Sequence, residues 1–260
     1  MDSTIATNMP APVGRKLGSA ELLFRAAETM GLQPDWITPN GTFAIVLDGR
    51  ERYINLARSP LNSHTSASLA KDKYVTRRIL GRHHFANIPF ARCRTIAEAE
   101  QFLLTHTKII AKPVTGSGSR DIHIITTTPQ LHELNIRRYI LEKYIPGREF
   151  RYLILGDNVI GVHRSEYGTS VSEHRALQRI SYPPAAWDPA LVTSSLRIAR
   201  ILGLKFAAVD YMVDANGQAY ILEVNSTPGL KWFHAPTRGP AVDVASQFLN
   251  AICQQTQAAA

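Results

Sequence analysis

Residues 206–229, FAAVDYMVDANGQAYILEVNSTPG, decide the fold of this chain. Two apolar runs flank Asn216-Gly217, and Asn-Gly between such runs is the strongest short-range signal for a β-hairpin closed by a two-residue type I′ turn. Counting outward from that turn places Asp210 opposite Glu223. Directly opposed residues have Cβ atoms about 4.5–5.5 Å apart. The sequence therefore predicts two carboxylates that face each other across an otherwise apolar strand pair.

Two facing carboxylates repel each other and lose hydration, which costs stability unless a cation lies between them. Asn225 lies two residues beyond Glu223, on the same face of the strand, and adds a neutral oxygen. An all-oxygen set suits magnesium or manganese. We predict a metal site formed by Asp210, Glu223 and Asn225. Three alternatives stay open: one carboxylate faces solvent, one pairs with an arginine, or a turn slipped by two residues breaks the register.

Upstream of the hairpin, Lys112 ends an apolar run and precedes a loop rich in Gly and Ser, residues 115–120. Backbone N–H groups of such a loop can approach phosphate oxygens while the lysine supplies charge. The loop does not match the GxxxxGK[ST] pattern, so a plain hairpin loop is an equal interpretation. Glu149 and Arg151 lie on the same face of the strand predicted over residues 149–155. This face is either a ligand face or the solvent-exposed side of a half-buried sheet.

Composition limits the classes of protein. Of the 260 residues 45% are hydrophobic and 19% charged, which is typical of a globular protein. No apolar run approaches the roughly 18 residues of a membrane span, and residues 1–16 lack the apolar core of a secretory signal. Two cysteines, far apart, indicate neither a disulfide framework nor a zinc site. We expect a cytoplasmic protein without a membrane partner.

The net charge of +8 and the pI of about 9.7 call for an anionic partner. Nucleic acid would favour clustered Lys and Arg, whereas a nucleotide or an acidic substrate needs only a focused positive field. The basic residues are scattered, with Arg77-Arg78 and Arg137-Arg138 the densest pairs, and no aromatic-interleaved RNA motif is present. This pattern argues against nucleic acid as the main partner. An anionic substrate is the alternative, and the polar stretch that contains His163, Arg164 and Arg175 is where it could be held.

Strand-like and helix-like segments mix without strict alternation, which indicates an α+β fold. We predict helices that begin at Ser19, Asp72, Thr95 and Asp188, and a last helix over residues 242–252. The domain organisation we expect is a flexible tail at 1–16, a short α/β segment at 17–70, the main domain at 71–253 and a second tail at 254–260.

Taken in order, several motifs resemble the ATP-grasp superfamily over about residues 73–251. They are Lys73, Lys112-Pro113, the Gly/Ser loop, LEKYIPGRE at 141–149, Asp210, and LEVNSTPG at 222–229. The resemblance is strongest to the carboxylate–amine ligase branch, which includes D-alanine–D-alanine ligase, the ATP-grasp part of bifunctional glutathione synthetase, cyanophycin synthetase and the ribosomal-protein glutamate ligase. It implies an ATP-grasp fold in which two α+β subdomains clamp ATP.

The resemblance also implies a role for each matching residue. ATP phosphates would be contacted by Lys73, Lys112, Ser117 and Gly118. Adenine would lie along Glu142, Lys143, Tyr144 and Ile145, and the ribose hydroxyls would bind Glu149. Two magnesium ions would be held by Asp210, Glu223 and Asn225. Arg151 and Arg164, as catalytic residues, would steady the transferred phosphate or the substrate carboxylate, and His163, Arg175 and Ser226 would face the substrate.

Three departures from the family pattern affect these expectations. Asp121 places an extra carboxylate near the phosphates, which is unfavourable unless Arg120 offsets it. Ala208 stands where D-alanine ligase has an arginine. The segment before Lys73 is short, so we expect an open cleft that suits a long or peptidic substrate, or a cleft completed by another subunit in a homo-oligomer or a complex.

The implied reaction is phosphorylation of a carboxylate by ATP to an acyl phosphate, which an amine then attacks. Two rivals remain on the same scaffold: a catalytically silent nucleotide-binding regulator, and a kinase or thioester-forming ligase.

Overall fold

The structure is a computed structural model that describes residues 18–116, 121–167 and 176–258. The α-helices of the described residues are α1 (Ser19–Thr29), α2 (His64–Lys71), α3 (Lys73–Arg82), α4 (Ile96–His106), α5 (Thr128–His132), α6 (Pro189–Leu202), α7 (Lys231–His234) and α8 (Val244–Ala258). The strands are β1 (Asp35–Trp36), β2 (Thr42–Leu47), β3 (Arg50–Asn55), β4 (Phe90–Ala91), β5 (Ile109–Pro113), β6 (His123–Ile125), β7 (Tyr139–Lys143), β8 (Arg148–Leu155), β9 (Asn158–Tyr167), β10 (Ala176–Tyr182), β11 (Phe206–Val213) and β12 (Ala219–Asn225).

Three antiparallel sheets organise the described chain. The central sheet has the order β10-β9-β8-β11-β12, a second sheet has the order β4-β7-β5-β6, and a small sheet has the order β1-β2-β3. This confirms the α+β prediction. Residues 164–184, which carry no strand prediction, contain the end of β9 and the whole of β10.

The β11–β12 hairpin confirms the predicted pairing of Asp210 with Glu223 but not the predicted turn. The turn is longer than two residues: Asp214 N donates to Gln218 O at 3.0 Å, and the Asp214 side chain accepts from the N–H groups of Asn216 and Gln218. The longer turn shifts the register by one residue, and a β-bulge at Leu222 shifts it back. A bulge inserts one extra residue into one strand, so the two differences cancel before the carboxylates are reached.

Each face of the central sheet packs against a different set of helices. One face carries Tyr152, Val209 and Tyr211 and packs against α6. The apolar half of the other face carries Leu153 and Phe206, and it shares a core with α1, the small sheet and α8. The second sheet has its own core with α4 and α5. The polar half of the sheet face that packs against α8 lies outside this apolar core and lines the candidate site.

Within the predicted short N-terminal segment, 17–70, most of the buried apolar side chains that the structure describes lie in one core with the central sheet. Asn62 adds a polar link, because its Oδ1 accepts from Lys205 N at 2.8 Å and from Phe206 N at 3.0 Å. At the other end, α8 continues to Ala258, so the predicted end at residue 252 was wrong and most of the predicted tail is helical. The helix extends six residues beyond the predicted end. Within the described ranges, no helix is long and apolar enough to cross a membrane.

Candidate active site

A row of polar side chains crosses all five strands of the central sheet. Ser181 of β10, His163 of β9, Arg151 of β8, Asp210 of β11 and Glu223 of β12 are successive cross-strand partners. Direct partners in antiparallel strands project to the same face. The hairpin that the sequence predicts therefore forms one end of a row that extends over the whole sheet.

Arg151 binds Asp210 in a bidentate ion pair, with Nε 2.6 Å from Oδ1 and Nη2 2.6 Å from Oδ2. Burial opposes the charge of Arg151, but Asp210, together with Glu149 and Glu223, outweighs it and raises the pKa of the guanidinium. The alternative in which one carboxylate pairs with an arginine is thus realised for Asp210. A carboxylate has about four lone-pair sites, so this pairing leaves Asp210 able to bind a cation as well.

Glu223 is the carboxylate of the pair that lacks a cation, since no Lys, Arg or His nitrogen of the described residues lies within 4.0 Å of it. Burial raises its pKa and Asp210 adds to this, while Lys73, Arg151 and Lys112 act in the opposite direction. A bound cation would reverse the cost of burial. The Oδ1 of Asn225 accepts from Thr227 N at 2.9 Å, which fixes the amide beside the end of β12.

This donor set fits a hard divalent cation. The described residues contain no cluster of three or more His, Cys, Asp and Glu that could hold a metal by themselves. Asp210, Glu223 and the amide of Asn225 therefore supply only part of a coordination shell, all of it oxygen. Magnesium is typically bound in this way, through one or two carboxylates, with water and substrate phosphates as the remaining ligands.

Glu142 lies in a buried charge cluster that connects the second sheet to β12. Its carboxylate accepts from Arg77 Nε at 2.9 Å and from Arg77 Nη2 at 2.7 Å, and Lys112 Nζ lies 2.7 Å from its Oε2. Arg77 also donates to the carbonyl oxygens of Ile221 and Leu222, at the bulge. Burial alone would raise the pKa of Glu142, but Arg77 and Lys112 outweigh it and lower the pKa to about 2. The bulge that restores the Asp210–Glu223 register is thus held by Arg77.

Sequence reasoning missed the role of Arg77. The available signal is its spacing: it lies one helical turn after Lys73 on α3, so both project from the same face of the helix. The charge of Lys73 acts on Glu223, and Lys73 Nζ donates to Gly116 O at 3.0 Å, at the start of the Gly/Ser loop. Lys73 therefore lies between the loop and the carboxylate pair, as its predicted phosphate contact requires.

The strand predicted to hold adenine is β7 and the residues after it. The side chain of Glu142 is committed to the buried cluster, so this residue can offer only its backbone. Lys143 N donates to Pro89 O at 2.9 Å and Tyr144 N to Lys108 O at 3.0 Å, while Lys108 Nζ lies 3.9 Å from the centre of the Tyr144 ring. These N–H groups are engaged within the chain, and the adenine contact with residues 142–145 stays a prediction.

Glu149 and its neighbours form a second row beside the first. Glu149 of β8 pairs with Ser165 of β9, which pairs with Arg179 of β10. The Glu149 carboxylate accepts from Ser165 Oγ at 3.1 Å and from the hydroxyl of Tyr167. The predicted ribose contact would be made by a carboxylate that the chain already orients.

The structure does not bring Arg164 to the row. Arg164 follows His163 in β9, so its side chain projects to the opposite face, where it pairs with Glu166. Its predicted catalytic role beside Arg151 has no support from this position. Ser117, Gly118 and Arg175 lie outside the described residues.

Asp121 has hydrogen-bond partners close to it in the chain. Its carboxylate accepts from the Tyr139 hydroxyl at 2.7 Å and lies 2.8 Å from Nε2 of His123. Both contacts lower the pKa of Asp121 and so favour its charged form. The expectation that Arg120 offsets this charge concerns a residue outside the described ranges.

A cavity of about 850 Å³ lies between α2 and the segment after β12. Glu223, Asn225 and Ser226 line one side of it, and Arg58, His64 and Lys71 line the other. The predicted substrate residue Ser226 is therefore at the same cavity as two of the predicted metal ligands. The remaining polar end of the row, at His163 and Ser181, lies on the far side of Arg151.

Comparisons with known proteins agree with this architecture. The ATP-grasp domain family matches residues 70–229. A curated relative from Rhodopirellula baltica, named "Probable alpha-L-glutamate ligase", is 23% identical over 215 residues, which cover 75% of this chain and 50% of the relative. A D-alanine–D-alanine ligase from Desulforudis audaxviator is 27% identical over 194 residues, which cover 64% of this chain and 61% of the relative. The chain thus spans about half to three fifths of the length of these relatives.

Solved structures share the fold at low sequence identity. The ATP-grasp ligase PsnB in complex with a minimal precursor superposes with a TM-score of 0.62 at 18% identity, covering 75% of this chain and 63% of PsnB. A bifunctional glutathione synthetase from Pasteurella multocida gives 0.64 at 15% identity, covering 92% of this chain and 44% of the synthetase. The family match extends over more than half of the chain, from before Lys73 to Gly229. The chain belongs to the ATP-grasp domain family.

Proposed function

We propose that this chain joins a carboxylate to an amine at the expense of ATP, through an acyl phosphate, with release of ADP and phosphate. The observation that carries the proposal is the row of side chains that runs from Glu223 and Asp210 through Arg151 to His163. It sets an oxygen-rich cation site beside an arginine, and the arginine beside a polar area formed by His163 and Ser181. The ligase names of the relatives and of the structural neighbours support the same reading.

The roles of the residues follow from their charges. Lys73 and Lys112 would hold the phosphates of ATP, and Asp210, Glu223 and Asn225 would hold magnesium, for which we propose two ions. Bound magnesium neutralises phosphate charge during transfer. Arg151, already oriented by Asp210, stabilises the charge that develops on the transferred group, which is worth most when the donor is fixed in advance.

The acid substrate completes the chemistry in two steps. A carboxylate oxygen attacks the terminal phosphorus and the bond to ADP breaks. The amine nitrogen then attacks the acyl carbon, phosphate leaves with the carboxylate oxygen, and the nitrogen loses a proton to give an amide. His163 lies beside Arg151 at the substrate side of the row, and burial, with the charges of Arg151 and Arg179, lowers its pKa well below the usual value. A neutral imidazole there avoids repelling Arg151.

The test is stoichiometry across a panel of amino acids and short peptides offered as acids and amines, with products identified by mass spectrometry. We expect one ADP and one phosphate for each amide formed, and no turnover in Glu223→Gln. Glu133→Gln, an exposed carboxylate after α5, is the matched control and should keep full activity. AMP and pyrophosphate would indicate adenylation, and phosphate retained on the organic product would indicate a kinase. Absence of turnover with every pair would favour a nucleotide-binding regulator.

A further inference from the structure

Beyond Arg151, the substrate side of the central sheet holds polar groups that have no partner within the described part of the chain. Both ring nitrogens of His163, the Nε of Arg179 and the Oγ of Ser181 are buried without a hydrogen bond there. His163 and Ser181 are only 2% and 3% exposed. Buried polar atoms are nearly always hydrogen-bonded, so four such atoms on two adjacent strands indicate that a ligand supplies the missing partners.

The charge of this area is positive. No Asp or Glu oxygen of the described residues lies within 4.0 Å of Arg179 or Lys231. Both cations lie against the ring of Trp232, Arg179 Cζ at 5.7 Å and Lys231 Nζ at 4.6 Å from its centre. Burial lowers the pKa of Arg179, and the nearby Arg151 adds to this, while Tyr167, Glu149 and Asp210 act against it. An anion would relieve the cost of holding these charges.

The backbone around the area is fixed by close packing. Gly161 of β9 lets Phe233 of α7 approach so closely that an added Cβ would lie 2.8 Å from its ring, which places the preceding Trp232 and Lys231 over the sheet. The Phe233 ring lies 4.7 Å from the His163 ring, centre to centre. Ser181 N donates to Arg238 O at 2.8 Å, which ties β10 to the segment after α7. Close packing therefore fixes the backbone that carries these polar groups.

We propose that Arg179, Lys231 and Ser181, with Trp232 as an aromatic wall and His163 as the inner end, form a subsite for a second anionic group of the acid substrate. This inference rests on the proposed function: the substrate is then a diacid, one carboxylate of which is phosphorylated beside Arg151 while the other binds at β10. The reacting carboxylate would lie beside Arg151 on β8, and β8 is two strand spacings from β10, which is about 10 Å at about 4.8 Å per strand. That separation matches the two ends of a long-chain dicarboxylate or of an acidic peptide better than those of a short one.

The test uses hydroxylamine, because the amine substrate is unidentified. Hydroxylamine nitrogen attacks the acyl phosphate, phosphate leaves, and the hydroxamate is measured by its iron complex. The probes are the α,ω-dicarboxylates from succinate to suberate, each compared with its monoamide, in which a neutral amide replaces one carboxylate, in the presence of ATP and magnesium. We expect the best dicarboxylate to exceed its monoamide by about ten- to a hundredfold in kcat/KM, which is the usual value of a charge-assisted hydrogen bond to a buried arginine.

The variants assign that preference to the subsite. Arg179→Gln should raise KM for the dicarboxylate about ten- to a hundredfold with little change in kcat and with KM for the monoamide unchanged, because this contact is the same before and during the transfer. Arg179→Lys should restore part of the preference. Arg200→Gln, on the exposed side of α6, removes the same charge elsewhere and should change neither value.

Binding measured without turnover keeps the subsite and the reaction distinguishable. A dicarboxylate should raise the thermal unfolding temperature of the wild type and of Lys112→Met, but not that of Arg179→Gln, since only ligands of the native state stabilise it. Hydroxamate formed equally from diacid and monoamide, with no effect of Arg179→Gln, would overturn the subsite and leave the ligase intact. No hydroxamate from any acid, together with a dicarboxylate-dependent rise that Arg179→Gln abolishes, would overturn the ligase and leave the subsite.

Discussion

The Arg77–Glu142 pair offers the sharpest test of how this fold is held together. Both side chains are almost fully buried, at 3% and 1% exposed, and Arg77 also donates to the two carbonyl oxygens at the β12 bulge. Replacing Arg77 by Met keeps most of its volume but leaves the Glu142 charge with Lys112 alone. Removing one partner of a buried ion pair costs about 3–5 kcal/mol.

The pKa of Glu142 gives an independent magnitude. It falls from 4.5 to about 2 in the folded chain, which corresponds to about 3 kcal/mol at about 1.4 kcal/mol per pKa unit. Because the folded pKa is below the unfolded one, this stability is fully present above about pH 4.5 and is lost as pH falls towards 2. Arg77→Met should therefore lose about 3–5 kcal/mol at pH 7, and its difference from the wild type should narrow below about pH 4.5.

Urea unfolding at pH values from 7 downward measures both effects. The matched control is Arg78→Met, the neighbouring arginine on α3, which is exposed. Arg78 donates to the Tyr74 hydroxyl at 3.3 Å, and its Cζ lies 5.9 Å from the centre of the Tyr74 ring. It should change stability by less than about 0.5 kcal/mol. If Arg77→Met is as stable as Arg78→Met at pH 7, the buried cluster does not hold the bulge, and the reasoning that connects it to the Asp210–Glu223 register fails.

Three further predictions concern the site and its frame. Glu223→Gln should abolish ATP turnover yet raise the unfolding temperature of the metal-free protein, because burial and Asp210 raise the pKa of this carboxyl; a lower unfolding temperature would contradict the repulsion argument. Glu149→Ala should raise KM for ATP more than it lowers kcat, since a ribose contact is the same in ground and transition states; an unchanged KM for ATP would refute the ribose assignment. Gly239→Ala should lower the free energy of unfolding by about 1–3 kcal/mol, because φ is +89° and an added Cβ would lie 2.0 Å from Ser181 O. Wild-type stability in urea unfolding would show that the backbone around Gly239 can shift at no cost.

Local sequence signals predicted the parts of the fold that are local. Asp72, Thr95 and Asp188 each accept a hydrogen bond from the first turn of the helix they precede, as their N-cap pattern indicates. Counting outward from Asn216-Gly217 placed Asp210 opposite Glu223, and this pairing holds because the longer turn and the bulge at Leu222 cancel. The bulge at Leu222 could not be predicted, because its carbonyls are held by Arg77 from a helix about 145 residues earlier in the chain.

The rest of the site depends on long-range pairing in the same way. Arg77 and Glu142 are 65 residues apart, and neither position alone indicates a partner. Ser165, Arg179 and Ser181, described residues of the polar stretch at 164–184, lie in the two polar rows of the central sheet, and their polarity hid the strand character of β10. Arg164 shows that nearness in sequence can also mislead. It follows His163 directly in β9, but their side chains project to opposite faces of the sheet.

The proposed reaction is tested most directly by following the oxygen of the acid. The acid substrate is labelled with oxygen-18 in its carboxylate, and the released phosphate and the amide are analysed by mass spectrometry, with Glu223→Gln as the inactive reference. In an acyl-phosphate route the attacking carboxylate oxygen leaves with phosphorus, so one labelled atom should appear in each phosphate released with ADP. Label that stays wholly in the organic product would contradict the account.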